Sequence, residues 1–281
     1  MSYCILALVL VAAVLDAVQH CLIKSGTDPF ARSLAVALAG GLIAAPLVLV
    51  VGLPDAAALP WLAGSVVVGT LYWIALGWAY QSGALAVVFP LSRGCGVVLT
   101  VLGSHLLVGE RLSLGQTTVL CAILAGLALV TFGSRLKDRL TLTALIPSLS
   151  LGVIIGSFTL VDAMGVRVAG SALQYCLILY LGNAVGVGLF AAIRHGPRLA
   201  RIQPAAVPGI VLSACLSIAA YAMILFGFAH APVALVAAVA ESSIAFAALL
   251  GFVLLREPVR VSQSIGVLVI AAGVMLLRLK T

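Results

Sequence analysis

Charged residues are sparse along this chain and fall in short clusters, and the stretches between the clusters are apolar for about twenty residues, the length a helix needs to cross a bilayer. Ten such spans are predicted, at 3–24, 32–52, 60–81, 84–108, 114–133, 143–166, 170–193, 207–228, 232–255 and 262–279. The connections are short (SGTDPFA, GLPDAAA, AHAP, REPVR), which makes neighbouring helices antiparallel and leaves no soluble domain between them. Long apolar runs, rather than alternating segments, exclude an outer-membrane barrel. The first run has no basic leader or small-x-small cleavage site and continues to Lys24, so it is read as a membrane helix and not a signal peptide. The expected fold is an all-α integral membrane protein with ten transmembrane helices.

Composition supports this reading. Of 281 residues, 64% are hydrophobic and 8% charged, a balance that soluble folds do not carry. The net charge of +7 implies no nucleic acid, because the basic residues sit in short loops, as membrane orientation requires. With Arg93 set aside, an outside N-terminus places ten Lys and Arg residues inside (among them Arg135, Lys137 and Arg139) against four outside, which favours both termini outside. The six cysteines lie in apolar runs without C-x-x-C spacing and are read as buried thiols, neither disulfides nor a zinc site. No metal and no cofactor is expected.

Arg93 breaks the pattern. It lies ten residues into an apolar stretch, three after Pro90, too deep to reach either surface easily. An intramembrane arginine faces a bundle interior or a wet cavity and pairs with something. Pro90 has no N–H and is expected to kink the helix one turn before the charge, with Ser92 facing the same cavity. The plainer alternative is an arginine that only ties two helices together.

A shift of 147 residues brings the two halves into register without a gap. Glu110 then meets Glu257, Gln116 meets Gln263, and Ala125-Gly126 meets Ala272-Gly273. The halves are expected at 1–134 and 142–281, joined by a basic linker at 135–141. Five spans in each half, an odd number, force opposite insertion, and inverted repeats point to alternating access around a midplane site. The same register sets Glu241 one residue from the position equivalent to Arg93. Opposite charges at matched depth can cancel part of each other's burial cost, or hold an anionic and a cationic group of a substrate. A permanent structural bridge is the competing reading.

The first helix carries Asp16, His20 and Lys24 on one stripe. Asp16 and His20, one turn apart, suit proton coupling; the alternative is that they only satisfy each other. Asp162 falls one residue out of register with Asp16 and is a candidate counterpart. Tyr72 and Tyr80 are eight apart on the third helix and are candidate cavity aromatics, with core packing the commoner fate. Asn183 in GNAVG, and the Gly152 and Gly156 pair, read as close helix packing.

The stretches FPLSRG with VGERLSLGQ, and APVALVAAVAESSIAFAALLGFVLLREPVRVSQSIGVLVIAAGVMLL, resemble the two EamA repeats of the drug/metabolite transporter superfamily. In that family the fourth helix of each repeat ends in a Gly-Glu-like pair; here these are Gly109-Glu110 and Arg256-Glu257. The resemblance implies ten helices in two inverted five-helix repeats around a cavity, export or exchange of small metabolites, and cytoplasmic termini, the reverse of the charge tally.

The expected function is a secondary transporter, an exporter, of a small polar and zwitterionic metabolite such as an amino acid, in the cell (inner or plasma) membrane. Arg93 and Glu241 would bind substrate with Tyr72, Ser92 and Tyr80, while Asp16 and His20 exchange protons. The partners implied are the substrate, a proton or counter-substrate, the lipid bilayer, and room for a homodimer. No ATPase motif is present, so a gradient or exchange must drive transport. A flippase of a lipid-linked substrate is the alternative. An intramembrane enzyme is disfavoured because no nucleophile–base set shares one depth.

Overall fold

The computed structural model describes residues 1–82, 85–111, 113–132, 142–194 and 202–247, with residues 250, 265, 266, 268, 269 and 272. The basic linker at 135–141, most of the predicted tenth span, Glu257 and Gln263 lie outside the described residues, as does the Pro90 side chain. The described chain is helical: α1 (Tyr3–Lys24), α2 (Pro29–Val51), α3 (Leu59–Ser82), α4 (Leu85–Leu106), α5 (Leu114–Phe132), α6 (Leu142–Arg167), α7 (Ala172–Arg194), α8 (Val207–His230) and α9 (Val233–Ala240). Among the described residues, six helices are long and apolar enough to cross a membrane. The chain is an all-α, multi-pass membrane protein.

Local chemistry sets the helix ends close to the predicted boundaries. Ser2 accepts from the Ile5 amide at 3.4 Å at the start of α1. Asp28 accepts from the Phe30 and Ala31 amides at 3.1 Å each, with Pro29 at the first helical position of α2, where its missing N–H costs nothing. Gly109, with φ of 71°, turns the chain back after α4, and the Glu110 amide donates to the Ser104 carbonyl at 3.1 Å.

The predicted ninth span is not one helix. After Ala240 the backbone turns through Glu241 and Ser242 and becomes helical again at Ser243. Bonds from the Ser242 amide to the Val239 carbonyl and from the Ile244 amide to the Glu241 carbonyl, both 3.0 Å, tighten the break. An apolar pattern reports burial and length; it does not report a one-turn change in backbone hydrogen bonding at a Glu-Ser-Ser sequence.

The main packing partners are α4 with α6, α3 with α6, α1 with α8, and α2 with α7. The pairs exchange when the halves are swapped. The helix α1 meets α8 as α6 meets α3, α1 meets α9 as α6 meets α4, and α2 meets α3 as α7 meets α8. The crossing of α4 on α6 is close because glycines face it. A Cβ on Gly152 would stand 2.7 Å from the Ser92 carbonyl oxygen, and one on Gly156 3.0 Å from that of Gly96.

The cysteines correct the expectation of buried thiols. Cys4, Cys121 and Cys215 lie on exposed helix faces, whereas Cys176 is buried; none of the six is joined in a disulfide. In a bilayer the outer face of a helix is as apolar as its inner face, so an apolar run does not say which way a thiol points.

The α4–α6 crossing gives a paired test. Gly152→Ala should lower thermal stability in detergent by overpacking, about 1–3 kcal/mol. Gly94→Ala on the same interface helix α4, where a Cβ meets nothing within 4 Å, should be neutral.

Candidate functional site

A central cavity of about 910 Å³, counting the space that opens to solvent, is lined by side chains of α1, α3, α4, α6, α7, α8 and α9 together with Glu241. Its polar groups form two poles.

The first pole surrounds Arg93. The Nη2 atom of Arg93 donates to Asp16 Oδ2 at 2.6 Å and lies 3.0 Å from His20 Nε2. The Nη1 atom stands 3.6 Å from Glu241 Oε1. The three charged side chains are between 5% and 14% exposed, so little water screens them. The guanidinium also lies over the Phe89 ring, 5.2 Å from its centre. Because a guanidinium only donates, His20 Nε2 accepts from it, and the ring proton belongs on Nδ1, 2.8 Å from the Tyr80 hydroxyl. A proton added at Nε2 would instead be drawn to Asp16 Oδ1, 3.3 Å away, in competition with Arg93. The cluster can therefore trade a proton against an ion pair. The break after α9 places Glu241, and its Oε2 atom is buried with no hydrogen-bond partner.

The second pole is Asp162 on α6. It is fully buried, and Ser65 of α3, Tyr175 of α7 and Tyr221 of α8 all donate hydroxyls to it, Tyr175 at 2.9 Å. Edge-to-face contacts link the two poles: Tyr72 to Phe158 at 5.3 Å and Phe158 to Tyr221 at 5.8 Å between ring centres. Among the described residues no group of His, Cys, Asp or Glu is arranged to hold a metal ion.

Of the residues singled out from the sequence, Arg93, Glu241, Asp16 and Tyr72 line the cavity. His20 and Tyr80 stand behind Arg93 as a hydrogen-bonded pair. Ser92 turns its hydroxyl back to the Val88 carbonyl at 2.8 Å, one turn earlier on α4. Pro90 lies within α4, its side chain outside those described. Asp16 is the nearer partner of Arg93, a pairing that the spacing within α1 does not disclose.

Glu110 has a use that sequence reasoning missed. Its carboxylate reaches across to the second half, accepts from Arg167 at 2.7 Å and from the Val233 amide at 3.0 Å, and so caps the start of α9. Arg167 also donates from Nε to the Phe228 carbonyl at 3.1 Å, at the end of α8. In the first half Lys24 makes the matching contact, donating to the Tyr80 carbonyl at 2.5 Å near the end of α3. The Gly-Glu pair was visible in the sequence as a repeated motif; its partners were not.

No protein-family model matches the chain, and no curated protein matches it. Solved structures do: 28 chains match. One of them, described only as "Crystal structure of protein", aligns over 100% of both chains with a TM-score of 0.77 at 16% identity. At that identity the likeness shows a shared fold and carries nothing about activity.

Two consequences can be measured. Arg93→Leu leaves Asp16 and Glu241 facing each other without a cation and should cost about 3–5 kcal/mol in unfolding free energy. The triple variant Arg93→Leu, Asp16→Asn, Glu241→Gln should recover much of that loss in the same unfolding assay, because it removes the unpaired charges. Glu110→Ala removes a cap and an ion-pair partner at once and should lower thermal stability by about 1–2 kcal/mol, with Glu110→Gln milder.

Proposed function

We propose that the chain is a secondary active transporter of the EamA type, an exporter with ten transmembrane helices in two inverted five-helix repeats in the cell membrane. Its substrate is a small polar metabolite, such as an amino acid, carried by alternating access. The observation that carries this reading is the cavity itself, where Arg93, Asp16 and Glu241 meet between helices of the two halves. Buried ionisable groups around a cavity in a membrane bundle mark a substrate or ion path.

The repeat architecture has its own support. Packing partners exchange when the halves are swapped, each half sends an aspartate from its first helix into the cavity, and Lys24 and Arg167 make matching contacts to the ends of α3 and α8. An ion cluster shared by α1, α4 and the break after α9 can be remade as the halves rock, because its members belong to both of them. A substrate carboxylate would compete with Asp16 and Glu241 for the guanidinium fork. The proton exchange at His20 supplies a way to release Asp16 from it.

Purified protein in liposomes, preloaded with an unlabelled amino-acid mixture and given labelled amino acids outside, tests this by counterflow. Saturable accumulation is expected for wild type, and Arg93→Gln and Glu241→Gln should each reduce it by about tenfold or more. Wild-type rates in both variants would remove the cluster from the site, and no accumulation in wild type would remove the substrate class.

A further inference from the structure

The cavity holds more negative than positive groups. Asp16, Glu241 and Asp162 line it, against Arg93 as the one lining cation among the described residues. Asp16 and Glu241 both stand against Arg93. Asp162 does not: among the described residues it forms no ion pair, and its partners are three neutral hydroxyls. Hydroxyl dipoles spread a charge but do not cancel it, and a buried carboxylate is costly without a cation. A carboxylate offers about four lone-pair positions, of which three are used here, so one remains for a further donor.

A second acceptor stands on the same wall. Asn183 is 5% exposed, lines the cavity, and its Oδ1 atom is buried with no hydrogen-bond partner. Helix α3 fixes its place relative to Asp162. Ser65 bonds Asp162, and four residues later a Cβ on Gly69 would stand 2.6 Å from Asn183 Oδ1. The two acceptors therefore face the same stretch of α3. Beside them runs the aromatic series Tyr72, Phe158 and Tyr221.

We infer that Asp162, Asn183 and this aromatic wall form an ammonium subsite, and that the cavity takes small primary amines by their protonated amino end. An ammonium group has three donors and one charge. The open position on Asp162 takes one donor and the charge, Asn183 Oδ1 takes a second donor, and ring faces favour the remaining cationic surface. This assigns the positive end of the substrate to Asp162 rather than to Glu241, and makes the amine, not a carboxylate, the group required for binding. The assignment deepens the transport reading and rests on the same cavity.

Binding to the purified protein in detergent, read by thermal stabilisation and by calorimetry, tests it with three related probes: isopentylamine, leucine and isocaproate. Both amine-bearing probes should stabilise wild type and the acid should not. Asp162→Asn keeps an acceptor for the hydroxyls and should weaken isopentylamine by about tenfold or more, while Glu110→Gln, outside the cavity lining, changes it by less than about threefold. Tyr221→Phe keeps the charge, frees a second position on the carboxylate and should tighten the amine, so it serves if Asp162→Asn does not fold. The inference is overturned if isopentylamine fails to bind wild type, if isocaproate binds as well, or if Glu241→Gln abolishes amine binding that Asp162→Asn retains. Unchanged amine affinity in Tyr221→Phe also overturns it. Counterflow of isopentylamine separates the two claims. Binding without flux leaves the subsite and removes transport; flux that ignores Asp162 leaves transport and removes the subsite.

Discussion

A guanidinium held in the middle of an apolar bundle has to be neutralised where it stands, and the inner helices are arranged around that need. Arg93 draws Asp16 from α1 and Glu241 from the break after α9 to within ion-pair distance, and His20 and Tyr80 back the pair from behind. Asp16 and His20 come from α1, Tyr80 from α3, Arg93 from α4 and Glu241 from beyond α9, so the cluster ties together helices far apart in the chain. In lipid such contacts have no hydrophobic effect to drive them, and polar groups with small-residue crossings do that work instead.

The break after α9 follows from the same constraint. A continuous helix would turn successive side chains by a fixed angle around its axis; the turn at Glu241 and Ser242 departs from it where the carboxylate meets Arg93. Glu110 holds the other end of this short helix by capping Val233 and pairing with Arg167. The first half of the chain thus fixes the start of α9, and Arg93, also of the first half, holds the residue at its end.

The two poles of the cavity differ in kind. Around Arg93 opposite charges meet and a histidine can shift the balance between them. Around Asp162 a single carboxylate is held by hydroxyls from three other helices. The first arrangement can be rearranged by a proton or by a competing anion, whereas the second is a fixed, negative, hydrogen-bonded end. A dipolar ligand lying along the Tyr72, Phe158 and Tyr221 wall would find a different surface at each end.

Span length and apolarity are local properties, so the sequence alone determined the membrane class and the ends of eight helices to within a few residues. The cap at Asp28 and the turn at Gly109 are local too, acting within a few residues of the helix ends they hold. A shift of 147 residues sets Arg93 and Glu241 one residue apart in register, and the two side chains stand 3.6 Å from each other. What the sequence could not determine was which faces meet. Asp16 as the nearest partner of Arg93, the three hydroxyls on Asp162, the reach of Glu110 to Val233 and the outward aim of Cys4, Cys121 and Cys215 all depend on rotations of helices far apart in the chain. In a bilayer both faces of a helix are apolar, so the pattern that fixes rotation in a soluble protein is absent, and only the tertiary packing decides it.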